Sequence, residues 1–252
     1  MNILVTGSDG FLGRHVVKLA EERGHEVEQL DLKTQIPLSA LPAYWFNDYD
    51  CIIHLAAYID ITESIREPWK YVENNLLTLK KFKGAKRLVF ASSAAVYGDF
   101  SPYGYTKRLG EALLPKNSIS LRMFNPFGPG ENHKPENHII PKLIEACNAG
   151  VKASLYQEGK QVRDFIWVED AAMAFVLAAE SDATGAYDLC DTPLQIRQVA
   201  DYMGAPYELV SSERDSADAD VLRGDKQDLE RAINWRPNKN VIEQLKNWKQ
   251  WA

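Results

Sequence analysis

Residues 1–6 form a short apolar run with β-branched members, and Gly7, Gly10 and Gly13 follow at once, ahead of a helical pattern that reaches Arg23. The order strand, glycine turn, helix commits this part of the chain to a βαβ unit and narrows what the loop can do. Gly7 permits the tight turn, Gly10 lets backbone approach a pyrophosphate, and Gly13 lets the helix settle close to the strand. Phe11 and Leu12 open a helix whose N-terminal amides can face phosphate. The spacing is Gly-x-x-Gly-x-x-Gly rather than the commoner Gly-x-Gly-x-x-Gly. A second strand over residues 26–30 ends in Asp31, at about the 20-residue separation at which a dinucleotide fold places its ribose-binding acid. A carboxylate there accepts hydrogen bonds from both ribose hydroxyls and repels a 2′-phosphate, so the expected cofactor is NAD rather than NADP. Lys33 stands nearby and works against that preference.

Strand and helix keep alternating through the first half. Residues 50–57 read as a buried strand, 76–82 as a helix, 86–91 as a strand and 118–124 as a further strand that runs into a loop at 125–130. Parallel pairing through helical crossovers follows, which makes the fold class α/β with a doubly wound parallel sheet. His54 lies in an apolar run and reads as a hydrogen-bonded core histidine. Residues 211–220 read as a polar loop.

Chemistry enters at residues 101–107, Ser-Pro-Tyr-Gly-Tyr-Thr-Lys. Tyr103 and Lys107 are four apart on the first turns of an expected helix and share a face. A fixed cation stabilises the ionised phenol, so the pair is a candidate proton-transfer site. Tyr156 and Lys160 repeat the spacing, but Gly159 and the β-like residues before it predict a strand end and turn, where positions four apart do not share a helical face.

Composition limits the alternatives. A chain of 252 residues can bury a large core, and a net charge of −6 argues against non-specific nucleic-acid binding. Cys51, Cys147 and Cys190 are few and widely separated, and the five histidines lack metal-ligand spacing, so neither a disulfide framework nor a metal site is expected. The first strand starts at Met1 with no signal sequence ahead of it, and no apolar run reaches the ~20 residues of a membrane span, so a cytoplasmic location away from membranes is expected.

Together these segments resemble the extended short-chain dehydrogenase/reductases, in their NAD-dependent nucleotide-sugar epimerase/dehydratase branch. The anchors are Thr6-Gly7-x-x-Gly10-x-x-Gly13, Asp31, His54-Leu55-Ala56-Ala57, Asn75, Ser92-Ser93-Ala94-Ala95-Val96-Tyr97-Gly98, Tyr103-x-x-x-Lys107, Leu121-Arg122-x-Phe124-Asn125-Pro126, Arg163-Asp164-Phe165 and Asn234-Trp235-Arg236-Pro237. The resemblance implies a Rossmann domain (residues 1–122 plus about 163–190), a small C-terminal substrate-binding domain (about 123–162 and 191–252), a cleft between them and a homodimer. It implies Tyr103 as acid/base, Lys107 as its electrostatic partner and ribose ligand, and Ser93 as the hydroxyl that shares the substrate's hydrogen bond. Asp50, Cys51, Leu55, Ala56, Ala57 and Asn75 join the glycine loop as implied cofactor contacts. Asn125 is the implied sugar or phosphate contact, and Arg163 the implied diphosphate ligand. Arg214 is the candidate for a second diphosphate arginine, with Arg223 as its rival.

Ala94 and Ala95 occupy positions where members that remove water across C5 and C6 carry an Asp-Glu pair, so the resemblance disfavours a dehydratase. It points to an NAD-dependent nucleotide-sugar epimerase acting at C4 of a UDP-sugar through a transient 4-keto intermediate. The alternatives are a 4-keto-sugar reductase or dehydrogenase of the same fold, and a non-catalytic NAD-binding sensor or scaffold. The retained Ser93, Tyr103 and Lys107 speak against the scaffold. The chain departs from the family in two places. Only Asp99 and Phe100 separate Gly98 from Ser101, and the helix after Asn75 is short, without the usual Gly-Thr pair. Both changes bear on substrate size and on dimerisation.

Overall fold

A computed structural model describes residues 1–32, 37–98, 101–131, 138–211 and 220–252. The chain opens with β1 (Asn2–Thr6), α1 (Phe11–Glu22), β2 (Glu26–Leu30), β3 (Cys51–His54), α2 (Ile61–Arg66), α3 (Pro68–Tyr71), β4 (Leu88–Ser93), α4 (Pro102–Leu113) and β5 (Ser118–Met123). It continues through β6 (Asn125–Phe127), α5 (Ile139–Ala149), β7 (Ala153–Leu155), β8 (Val162–Trp167), α6 (Val168–Glu180) and β9 (Gly185–Leu189). The last elements are β10 (Thr192–Gln195), α7 (Ile196–Met203), β11 (Tyr207–Leu209), β12 (Val221–Leu222), α8 (Gln227–Ile233) and α9 (Val241–Lys246).

Six strands pair in parallel in the order β2-β1-β3-β4-β5-β9. The period-two alternation of strand side chains explains the layering. Ile3 and Val5 of β1 and Ile53 of β3 face Val16, Val17 and Ala20 of α1 and Ala171, Phe175 and Ala178 of α6 in one core. Leu4 and Ile52, one residue out of phase, join Leu88, Phe90, Phe46 and Phe82 in a second core on the other face. A parallel sheet covered on both faces needs such near-continuous apolar strands. The chain runs from β1 outward to β2 and then returns to β3 on the other side of β1, so β1 and β3 flank the switch point at which open α/β sheets bind ligands.

The second layer is smaller. β8 pairs with β10 in antiparallel register and with β6 and β12 in parallel, while β7 pairs with β11. Its core joins Phe127, Leu143, Phe165, Trp167, Val199 and Leu245.

The structure corrects several expectations. β3 covers only Cys51–His54, and residues 55–60 after it carry no strand or helix. β4 lies two residues later than expected, at Leu88–Ser93, which carries Ser93 to the sheet's C-terminal rim. Residues 72–82 form a π-helical turn (Val72–Leu76) and a 3-10 stretch (Leu77–Phe82) in place of one regular helix over 76–82. The expected loop at 125–130 begins as β6, because Asn125–Phe127 pairs with Phe165–Trp167. The expected domain boundary at residue 163 cuts through β8, which belongs to the smaller sheet. Leu229 and Ile233 of α8, together with Trp235, pack into the first core, where the Trp235 indole donates to the Asp170 carbonyl at 3.0 Å.

Candidate active site

The C-terminal ends of the parallel strands open into a cleft of about 1680 Å³, lined from both layers of the molecule. Single-ligand pockets run at roughly 300–1,000 Å³, so this one has room for two ligands side by side.

One end of the cleft is built on the glycine loop. Gly7 has φ +75°, and a Cβ there would lie 2.8 Å from the Ala56 amide nitrogen; a Cβ on Gly13 would lie 2.1 Å from the Gly7 carbonyl oxygen. Both positions therefore require glycine, and the loop can hug β3 while α1 starts close beneath it. No side chain caps α1 and no acid sits in its first turn, which leaves its positive end for an anion. Gly7, Gly10, Phe11, Leu12, Gly13 and Asp31 all line this end. Asp31 accepts a hydrogen bond from the Asp9 backbone at 3.1 Å, which fixes its carboxylate across the loop. The donor set, the glycine cradle and the acid suit NAD. Pro37, Leu38 and Ser39 complete the wall. They carry no periodic pattern, and sequence reasoning missed them.

Asp50 and Cys51 are corrections. β3 runs parallel to β1, so its N-terminal residues lie at the rim remote from the glycine loop. Asp50 there accepts from the Asn2 amide at 2.9 Å and from Lys86, and Cys51 is fully buried in the core. Leu55, Ala56 and Ala57, at the other end of β3, do line the cleft. Asn75 does not, since its amide is used as a clamp: Oδ1 accepts from the Tyr58 amide at 2.9 Å and Nδ2 donates to the Tyr58 carbonyl at 2.8 Å. It positions the loop rather than a ligand.

At the middle of the cleft stand the residues expected to transfer a proton. Ser101 caps α4 by accepting from Gly104 N at 3.1 Å, and Pro102 occupies the first turn, so the helix begins where Tyr103 needs it. Tyr103, Lys107 and Gly110 lie on its buried face, and Gly110 lets α4 sit against Phe90, which a Cβ would approach to 3.0 Å. Ser93 ends β4 facing the cleft and accepts from Ala95 N at 3.2 Å, while Ala94 and Ala95 line the wall where an acid pair would stand.

Lys107 is buried behind the wall. Its Nζ donates to the Ala91 carbonyl at 2.6 Å and sits 4.9 Å from the Phe90 ring centre and 6.0 Å from that of Tyr103. Burial pushes the ammonium down to about 7, against the opposing charge of Glu111. His54 is buried beside it, hydrogen-bonded to Thr6 Oγ1 at 2.7 Å and stacked near Phe90; burial, with Lys107, takes it down to about 3.

Opposite stands a group that the sequence did not single out. Tyr71 donates to Glu63 at 2.9 Å, Lys70 pairs with the same carboxylate at 2.7 Å, and the Tyr71 ring meets Tyr103 edge-on at 6.5 Å. All three of Glu63, Lys70 and Tyr71 line the cleft.

The smaller layer supplies the far wall. Asn125 donates to the Asp164 carbonyl at 2.7 Å, and Arg163 donates to the Val162 carbonyl at 2.8 Å; both line the cleft. Asp164 instead accepts from Asp191 N at 2.9 Å and Gly224 N at 3.4 Å, and burial raises it to about 6. Arg214 lies outside the described residues, and Arg223 is exposed and off the cleft. Tyr156, the tyrosine of the second Tyr-Lys spacing, lines this wall, with Lys142 Nζ 5.2 Å from its ring centre.

Comparison with known proteins settles the ancestry of this geometry. The model of the NAD dependent epimerase/dehydratase family matches residues 3–190. The chain belongs to that family. Among relatives of this epimerase/dehydratase chain, the UDP-glucose 4-epimerase of Streptococcus mutans is 28% identical over 315 positions, covering 97% of this chain and 94% of that enzyme. The aligned positions outnumber the 252 residues, so internal stretches of that relative have no counterpart here. The UDP-N-acetylglucosamine 4-epimerase of Methanobrevibacter ruminantium superposes with a TM-score of 0.89 at 26% identity, covering 99% of this chain and 97% of that one. The UDP-glucose 4-epimerase of Stenotrophomonas maltophila, solved with NAD, superposes at 0.90 with 23% identity over 100% and 97% of the two chains and shares the fold.

Proposed function

We propose that this member of the family is an NAD-dependent nucleotide-sugar 4-epimerase acting on a UDP-sugar. The observation that carries the reading is the convergence of Ser93 and Tyr103 on one cleft, between the glycine loop and Arg163, with alanines in place of the acids that a dehydratase needs. Bound NAD would supply a reversible two-electron acceptor. Tyr103 would take the proton of the C4 hydroxyl as that carbon gives up its hydride, and would return it to the C4 oxygen as the turned 4-keto sugar regains hydride on its other face. Ser93 shares the hydroxyl's hydrogen bond, and Lys107, close behind the phenol, favours its anionic form. Arg163 suits the diphosphate because a guanidinium presents a planar fork to phosphate oxygens, with Asn125 beside it for the sugar or phosphate. The names of the compared epimerases, which act on UDP-glucose or UDP-N-acetylglucosamine, support the nucleotide.

Incubation with a panel of nucleotide sugars, with products resolved by chromatography, tests this directly. An epimer pair should equilibrate with no stoichiometric change in NADH, whereas net oxidation or reduction would give the site to a 4-keto-sugar reductase or dehydrogenase. Arg163→Ala should raise KM well above its effect on kcat, and UDP should compete in the parent enzyme. If UDP neither competes nor shifts thermal stability, the nucleotide assignment is wrong.

The same reading extends to a homodimer. Tyr105, Leu109 and Leu113 form a stripe four residues apart on the outer face of α4, each about half exposed or more, with Ile65 and Trp69 also exposed on α2 and α3, which pack against α4. Light scattering should return twice the chain mass, and Leu109→Glu should return one; a monomeric parent would refute it.

A further inference from the structure

We propose that Tyr97, Arg122 and Glu111 form a positioning cluster that holds the Ser93 hydroxyl in register with Tyr103. The inference rests on the epimerase reading for its kinetic consequence, and on geometry for the rest. Ser93 caps a 3-10 turn, Ala94–Tyr97, by accepting from Ala95 N. Among the described residues, this turn and Gly98 are what follow Ser93 before Ser101, so holding the far end of the turn restrains the end that bears the serine. Tyr97 does this. Its hydroxyl donates to Asp188 at the end of β9 at 2.6 Å and accepts from Arg122 Nη1 at 2.6 Å, and the Arg122 guanidinium lies 5.0 Å from its ring centre.

Arg122 is in turn held by a fork from α4. Its Nε and Nη2 donate to the Glu111 carboxylate at 3.0 and 2.8 Å, and both side chains are mostly buried. Glu111 lies one helical turn beyond Lys107, and it also accepts from Ser92, whose side chain points to the face of β4 opposite that of Ser93. The cluster thus bridges the turn that carries Ser93 to the helix that carries Tyr103 and Lys107. A paired planar fork resists rotation as well as stretching, which a lysine cannot reproduce. A mispositioned reacting group costs rate without costing ligand affinity.

The test compares Tyr97→Phe, Arg122→Lys and Arg122→Met in the full chain. Expected for Tyr97→Phe is a fall in kcat of about 10- to 100-fold, with KM for the nucleotide sugar and NAD affinity within about twofold of the parent. Arg122→Lys should fall between the parent and Arg122→Met. Hydrogen exchange read by mass spectrometry should show the amides of residues 94–97 exchanging about tenfold faster in Tyr97→Phe, with β4 unchanged. Unchanged exchange in the turn overturns the proposal whether or not the parent epimerises a sugar. So does a variant whose kcat stays within about twofold of the parent, or one that loses kcat, both affinities and thermal stability together. If the parent shows no epimerisation while the turn loosens as expected, the epimerase reading fails and the positioning of Ser93 stands.

Discussion

Tyr103 and Tyr156 each stand four residues before a lysine, and the chain makes entirely different use of the two pairs. Ser101 and Pro102 start a regular helix under the first, so phenol and ammonium fall on one buried face. Under the second, Gln157, Glu158 and Gly159 all take positive φ, at 47°, 54° and 67°, and the backbone turns the two side chains apart. Lys160 is left mostly exposed and pairs with Glu158 at 2.5 Å, while Tyr156 turns to the cleft. A spacing carries chemistry only through the backbone that it rides on, and here the cap decides.

Four experiments sharpen or break that contrast. The largest effect is expected from Tyr103→Phe, which removes one hydroxyl: turnover should fall about 10²–10⁴-fold with NAD still bound. Retention of activity within a few-fold would remove Tyr103 from the mechanism. Tyr156→Ala should act differently, raising KM by about tenfold with little change in kcat, since a wall residue contributes equally before and during reaction. A kcat loss as large as that of Tyr103→Phe would erase the distinction.

The third experiment concerns the lysines and pH. The folded value of Lys107, about 7, lies below its ordinary value of 10.5, so the folded state holds fewer protons than the unfolded one between those limits. Stability from this group is therefore fully present above 10.5 and is lost as pH falls through about 7, at up to roughly 1.4 kcal/mol per unit. Chemical denaturation of the parent minus that of Lys107→Met should show this slope over pH 7–10, and a flat difference would contradict it. The smallest effect belongs to Lys160→Ala, which should change stability by no more than about 0.5 kcal/mol and leave turnover alone.

How far the sequence could be read follows the same physics. β1, the glycine loop, Asp31 and α4 were legible because each is specified by neighbours within a few residues: an apolar run, a required glycine, a cap. Asp50 and Cys51 were misplaced because an apolar run does not announce which of its ends meets the cleft, although the parallel pairing of β1 with β3 decides it. Pro37, Leu38 and Ser39 were invisible since a wall made of short 3-10 turns has no period. Glu63, Lys70 and Tyr71 come together only through the folding of α2 against α3, and Asn75 looked like a ligand contact when its amide serves the Tyr58 backbone.

The construction of β8 has a consequence in time. Its partners are drawn from β6 before it and from β10 and β12 after it, so Arg163 gains its surroundings only when distant segments of the chain have met. The β1-α1-β2 unit that carries the glycine loop closes over a short stretch of chain. Non-local pairings form slowly because loop closure precedes the contacts that reward it. A refolding chain should accordingly regain NAD binding before it regains turnover, and stopped-flow refolding sampled for both would find the two recoveries coincident if β8 assembled as early as the glycine loop.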